Sequence, residues 1–153
     1  MTSSYNEIYS RFFIKVDATM SFLKLSREDL NEFLTEWLHA SLAKPYVRRI
    51  FKSLKTDNET MTMEFDIHNS VDEDSDKEYV KEIIAYGMAV EWLEPRVKSD
   101  ETVRQFFGGK EQKWFSQAQH MSEIRGMLSD AKIEIRKLIR DHGYIYNSYL
   151  NGD

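Results

Sequence analysis

The most apolar stretch of the chain is IIAYGMAVEWL, residues 83–93, where hydrophobic side chains fall on nearly every side of a helix. A helix apolar all round must be enclosed by protein, so residues 77–93 are predicted as the centre of a core. The other segments are one-sided. Residues 4–16 set Ile8, Phe12 and Val16 on one face behind a Ser4-x-x-Glu7 capping box. Residues 27–43 carry a stripe of Leu30, Phe33, Leu34, Trp37, Leu38 and Leu42, with Ser26 as cap and Glu28 and Asp29 in the first turn. Pro45 suits the first turn of a third helix over 45–54, with Val47, Ile50, Phe51 and Leu54 inward. Pro95 ends or kinks the central helix, a short helix follows over 101–107, and Gly108-Gly109 stops it. The last helix, 112–141, has a regular heptad. Trp114, Met121, Leu128, Ile135 and His142 occupy position a, and Gln117, Ile124, Ala131 and Leu138 occupy position d. Such a seam is about 45 Å long at roughly 1.5 Å per residue. Gly143 reads as its C-cap.

One stretch changes period. Met61, Met63, Phe65 and Ile67 alternate with Thr62, Glu64 and Asp66, the mark of a half-buried strand. A lone strand leaves its N–H and C=O groups unpaired. The segment near Tyr144 to Tyr146, or another chain by strand addition, is expected to pair with it. The alternative is an irregular loop with Met and Phe packed on the core. The predicted fold is therefore mainly α: a helical bundle around a central buried helix, with a long C-terminal amphipathic helix and one short strand or extended loop. Residues 1–142 form a single helical domain and 143–153 an extended tail.

Composition narrows the function classes. A chain of 153 residues with 41% hydrophobic and 31% charged residues is one ordinary globular domain rather than a disordered segment. Aromatic residues at 13% supply anchors for a core or an interface. The absence of cysteine excludes disulfides, thiolate metal sites and a Cys nucleophile. The segment MTSSYNEIYSRFF lacks a basic stretch followed by an apolar core, so no signal peptide is expected. No apolar run approaches the roughly 18 residues of a membrane span. A formal net charge of −5 argues against a strong grip on bare nucleic acid.

The candidate chemistry is thin. Asp72, Asp74 and Asp76 match the first ligand positions of an EF-hand loop, but Lys77 and Ile83 stand where Gly and Glu are required. His39, His68, His120 and His142 form no metal-ligand pair, and there is no phosphate-binding glycine loop or nucleophile elbow. No enzyme, cofactor or metal is expected. The basic stretch from Lys44 to Lys55 offers Arg48, Arg49, Lys52 and Lys55 as phosphate or partner contacts on one helical face. The alternative is a solvated face neutralised by residues 57–78, which hold nine acids and only Lys77 as a base.

The segment VEWLEPRVKSDETVRQFFGGKEQKWFSQAQHMSEIR carries three motifs in order. These are Glu91-Trp92-Leu93-Glu94-Pro95, then Thr102-Val103-Arg104-Gln105-Phe106-Phe107-Gly108, then Lys113-Trp114-Phe115-Ser116-Gln117-Ala118-Gln119-His120. With the early run Ser4 to Tyr9, they resemble small virion proteins of tailed bacteriophages of Gram-positive bacteria. The resemblance covers about a third of the chain and implies a head-to-tail connector, or neck adaptor. Such a protein forms a ring, commonly twelvefold, beneath the portal, and DNA passes through it unread. The implied partners are further copies of the chain and the portal, tail or neck proteins, with no membrane. The implied location is the virion, and the host cytoplasm during assembly. The expected self-contacts are Arg104, Phe106 and Phe107, the strand residues Met61, Met63 and Phe65, and the tail residues Tyr144, Tyr146 and Tyr149. The competing readings are a nucleic-acid-binding or regulatory helical module using the Lys44 to Lys55 stretch, and another assembly role such as tail completion.

Overall fold

The computed structural model describes residues 1–16, 26–107 and 112–145, with side chains described outside 99–107, 112–121 and 144–145. In chain order these form β1 (Thr2–Ser4), α1 (Tyr5–Val16), α2 (Arg27–Ala43), α3 (Pro45–Arg48), β2 (Phe51–Asp57), β3 (Thr62–Ile67), α4 (Glu73–Phe107) and α5 (Gln112–Ile145). The fold is mainly helical around a central buried helix, as the apolar pattern requires. That helix is α4, which packs against α1, α2 and α5. Val80, Ile83, Ile84, Ala85, Met88, Ala89, Val90 and Leu93 are all buried. Against them lie Ile8 and Phe12 of α1, Leu34, Leu38 and Leu42 of α2, and Ile124, Ala131 and Ile135 of α5. From Ile124 onward, where its side chains are described, the heptad seam of α5 packs into the core against α4 of the same chain.

Local chemistry sets the helix starts. Ser26 Oγ accepts the Asp29 N–H at 3.2 Å. The Ser4–Glu7 box closes in both directions. The acidic run before α4 is capping machinery: Asp72 Oδ1 accepts the Ser75 N–H at 2.8 Å. Asp76, buried, accepts the Val71 N–H at 3.0 Å and a hydrogen bond from the Ser70 hydroxyl.

α4 differs from expectation at its end. It continues through Pro95 to Phe107, joining what the sequence divides into two helices. Proline costs a helix one hydrogen bond and about 3 kcal/mol. The carbonyl that loses its donor is that of Glu91. Beside it Arg96 Nη1 donates to the Trp92 carbonyl at 2.9 Å, and the guanidinium lies 4.0 Å from the centre of the Trp92 ring, contacts that brace this turn. α5 likewise runs past Gly143 to Ile145, so Gly143 is not its cap and the predicted tail does not begin there. The two helices are antiparallel, since Lys132 meets Glu94 while His142 meets Tyr79.

The sheet is the main departure. Residues 51–54 are strand, not helix, and three strands pair in the order β1-β3-β2. Both neighbours of β3 are antiparallel and in the same chain. A register shift between Phe51 and Ser53 marks a bulge at Lys52. The bulge lets Phe51 and Leu54 turn the same way although three residues apart, so the spacing of Val47, Ile50, Phe51 and Leu54 imitates a helix. In the β2–β3 loop, Asp57 Oδ1 accepts the N–H groups of Glu59 and Thr60 at 2.9 and 3.2 Å. Met61 takes the left-handed position, φ 53°, that glycine would fill without strain.

Two features lock the helices together. Where α2 crosses α4, Ser41 Oγ donates to the Ile84 carbonyl at 3.3 Å. A Cβ on Gly87 would stand 1.9 Å from Ser41 Oγ and 2.9 Å from Ser41 Cβ. Rotating the hydroxyl away does not clear the second contact, so the backbones must part. Along α1 and α4, Arg11 pairs with Glu78 and Glu82, Lys15 Nζ lies 2.8 Å from Glu82, and Lys81 bridges Glu78 and Glu7. Burial pushes the Glu82 carboxyl up, but the hydrogen bonds and charges of Lys15 and Arg11 outweigh it and hold the pKa below the usual value.

Gly87→Ala is expected to cost about 1–3 kcal/mol in urea unfolding through overpacking, more than the roughly 1 kcal/mol that alanine gains in helix propensity. An increase in stability would rule out the tight crossing. Because the Glu82 pKa is depressed, its contribution is present above about pH 4.5, the unfolded value, and is lost as pH falls through the lower folded value. Glu82→Gln should therefore lower stability at neutral pH and flatten the loss below pH 4.5 in acid titrations of the melting temperature.

Candidate interaction surface

The expected self-contacts separate into three groups. Met63 and Phe65 are buried in the protein's own core, and both edges of β3 are already paired within the chain. They are unavailable for strand addition, which corrects the expectation that another chain or the tail pairs with this strand. Met61 is half-buried, and its carbonyl accepts the Tyr5 N–H at 2.8 Å. Arg104, Phe106 and Phe107 form the last turn of α4, helical as expected but continuous with the central helix, and their side chains lie outside the described residues. Tyr144 belongs to α5, while Tyr146 and Tyr149 lie outside the described residues.

The basic stretch is not one helical face. Arg48 ends α3, Arg49 follows it, and Lys52 and Lys55 sit on β2. All four are exposed, and none has an ion-pair partner among the described residues. Several of the neighbouring acids are occupied elsewhere: Asp57 in the hairpin loop, Asp72 at a helix cap, Asp76 in a buried loop contact and Glu73 with Lys77 at 2.7 Å, while Glu64 stands opposite Lys55 in the sheet. No group of three or more His, Asp or Glu residues converges as a metal site among the described residues.

A groove that sequence reasoning missed lies where the α2–α3 corner meets α4 and α5. Its volume is about 490 Å³. Val90, Ile135 and Ile139 supply apolar surface, Tyr46 forms a lip, and Lys44, Lys132, Arg136 and Arg140 stand around it. Lys44 Nζ lies 3.1 Å from Glu91 Oε1, an ion pair poorly aligned for a hydrogen bond. That contact and the Glu91 charge hold the Lys44 ammonium above its ordinary pKa. Lys132 is 3.2 Å from Glu94, and Arg140 Nε is 3.1 Å from Asp141. Arg136 has no ion-pair partner among the described residues. Partial burial pushes the Tyr46 phenol up, against the pull of Lys44.

A second hollow of about 260 Å³ shares Tyr46 and Ile139 with the first and adds Arg49, Tyr79 and His142. Here the Tyr79 and His142 rings stack at 4.0 Å, and His142 Nε2 lies 3.1 Å from the His68 carbonyl. Burial drives the Tyr79 pKa well up. The detectable signal was the run Lys132, Arg136, Arg140 at four-residue spacing, interleaved with Ile135 and Ile139. The opposite pattern stands on α2. Glu28, Asp29, Glu32 and Glu36 are exposed and have no ion-pair partner among the described residues. Among them Phe33 is 42% exposed, stacked on Trp37 at 5.8 Å.

No protein-family model matches the chain, and comparison with curated proteins and with solved structures finds no match. Among the described residues no helix is long and apolar enough to cross a membrane.

His142→Ala should remove both the ring stack and the tie to His68, at a cost of about 1 kcal/mol. Hydrogen exchange should quicken in residues 139–145 while the core of α4 stays protected. Unchanged exchange there would show that the stack does not hold the end of α5.

Proposed function

We propose that this protein is a virion structural protein, a head-to-tail connector that forms a ring under the phage portal and lets DNA pass. The observation that carries the reading is the α4–α5 pair. These helices have 35 and 34 residues, about 50 Å each, whereas α2 has 17 and α1 has 12. Neither α1 nor α2 alone spans their length. The segment that resembles the phage proteins lies where α4 ends and α5 begins. A paired-helix extension beyond a bundle gives each subunit surface for neighbours on either side, as a closed ring demands. A net charge of −5 suits a passage that must not hold its cargo. On this reading the partners are copies of the chain and the portal, tail or neck proteins. The protein is not an enzyme, and its place is the head–tail junction, reached through the host cytoplasm. The exposed cations Arg48, Arg49, Lys52 and Lys55 favour a second reading, non-specific contact with nucleic acid.

Electron microscopy of the protein mixed with portal should show rings, and Phe107→Ala combined with removal of residues 146–153 should abolish incorporation while leaving the helical circular dichroism unchanged. No ring with or without portal, together with steeply salt-dependent retention on duplex DNA, would replace the first reading by the second.

A further inference from the structure

α2 carries a standing electrostatic cost. Glu28, Glu32 and Glu36 follow one another at four-residue spacing, with Asp29 alongside. Like charges at this spacing destabilise a helix. The helix N-terminus compensates Glu28 and Asp29, which lie in the first turn. Glu32 and Glu36 lie beyond that reach, and neither has an ion-pair partner among the described residues. The core does not require these residues: Leu34, Leu38 and Leu42 hold α2 to α4 from the other side. The partly exposed phenyl ring of Phe33 flanks the acidic stripe, stacked on Trp37 at its border with the core face. An acidic helix face with an aromatic knob has the chemistry of a ligand for a cationic groove with apolar walls.

The same molecule has such a groove. The space of about 490 Å³ beside Tyr46, Val90, Ile135 and Ile139 is ample for one phenyl ring. Arg136 at the groove and Arg49 in the adjoining hollow have no ion-pair partner among the described residues, and both hollows open beside Tyr46. The two surfaces are separate on one subunit. Glu36 on α2 and Lys44 just past its end are eight residues apart, or about 12 Å along a helix. Complementary patches at different places on one chain make a heterologous contact, which repeats from subunit to subunit.

We infer that the acidic face of α2, led by Phe33, docks into the Arg136–Tyr46 groove of a second copy of this chain. This inference rests on the ring reading and names the contact that would build the ring. Arg136 and Arg49 meet Glu32 and Glu36, and Phe33 enters between Tyr46 and Ile139. Lys44 and Lys132 stay with Glu91 and Glu94 and frame the groove.

The test uses the full chain, whose lack of cysteine makes introduced thiols specific reporters. Two charge-reversed proteins are made, Glu32→Lys/Glu36→Lys and Arg49→Glu/Arg136→Glu. Each alone should weaken self-association in sedimentation velocity at least tenfold. An equimolar mixture should recover it, because both contacts in an alternating assembly are again complementary. Separately, oxidation of Phe33→Cys mixed with Tyr46→Cys should give the mixed disulfide dimer well above either homodimer, even where association is weak. Circular dichroism checks that every variant is folded. If the parent assembles and the reversed proteins assemble equally well, the contact is wrong and the ring reading stands. If the parent forms rings with portal but neither self-associates through this face nor gives the mixed disulfide, the contact is wrong and the ring reading stands; if no ring forms with or without portal, both fall. Loss of salt-dependent duplex DNA binding on Arg49→Glu/Arg136→Glu, with self-association unchanged, would make the groove a nucleic-acid site and overturn the inference.

Discussion

Everything in this fold is hung on the closeness of two backbones. α2 and α4 meet at Ser41 and Gly87, where only the small Ser41 side chain is interposed and its hydroxyl bonds to a carbonyl of the facing helix. That contact fixes the depth at which α2 sits. The depth in turn decides whether Leu34, Leu38 and Leu42 reach Ile83, Ile84 and Met88, and where Lys44 and Pro45 turn the chain towards the sheet. The groove beside Tyr46 is the space left at that turn. A core usually tolerates exchange of one apolar shape for another of similar volume, because side chains can re-pack. A helix crossing with a glycine on one side and only a serine on the other has little such latitude.

The polar residues around this core each hold an element end or a helix pair. Asp57, Asp72 and Asp76 close a hairpin loop, a helix start and a buried connection. Tyr5 and His39 both reach Asn58, at 2.8 and 2.7 Å, and so tie the hairpin loop to α1 and α2. The ion pairs of α1 with α4 link the first and the central helix over successive turns. Charges spent in this way are not free for recognition. That is why the unspent ones, on the outer face of α2 and around Arg49 and Arg136, stand apart from the rest.

Helix α2 was legible to the residue, because capping and periodicity agree there. The centrality of α4 was legible because an all-round apolar helix has nowhere else to go. The strand Met63-Phe65-Ile67 was legible, but its partners were not. β1 is three residues long, too short to show a period, and the bulge in β2 disguises a strand as a helix. The hairpin loop gave no glycine signal either, since Met61 holds the left-handed position. Assigning Met63 and Phe65 to an interface followed from the missing partners: a strand thought to be alone was given a neighbour from outside. The groove lay beyond reach for a different reason. Its walls come from three helices, and only the spacing on α5 leaves a trace in the sequence.

Proline 95 stands just past the last buried residues described on α4, Trp92 and Leu93. The hydrogen bond that it deletes is therefore missing at the border of the fully buried part of the helix, with only Val97 still packed against the core beyond it among the described side chains. A rod weakened at one point concentrates its curvature there. Load applied to the far part of α4 and to its partner α5 would be taken up at this position, while the packing around Ile84 and Met88 stays still. Bending at this one position would cost the helix least, because the turn there already lacks a hydrogen bond, while the packing around Ile84 and Met88 would be untouched.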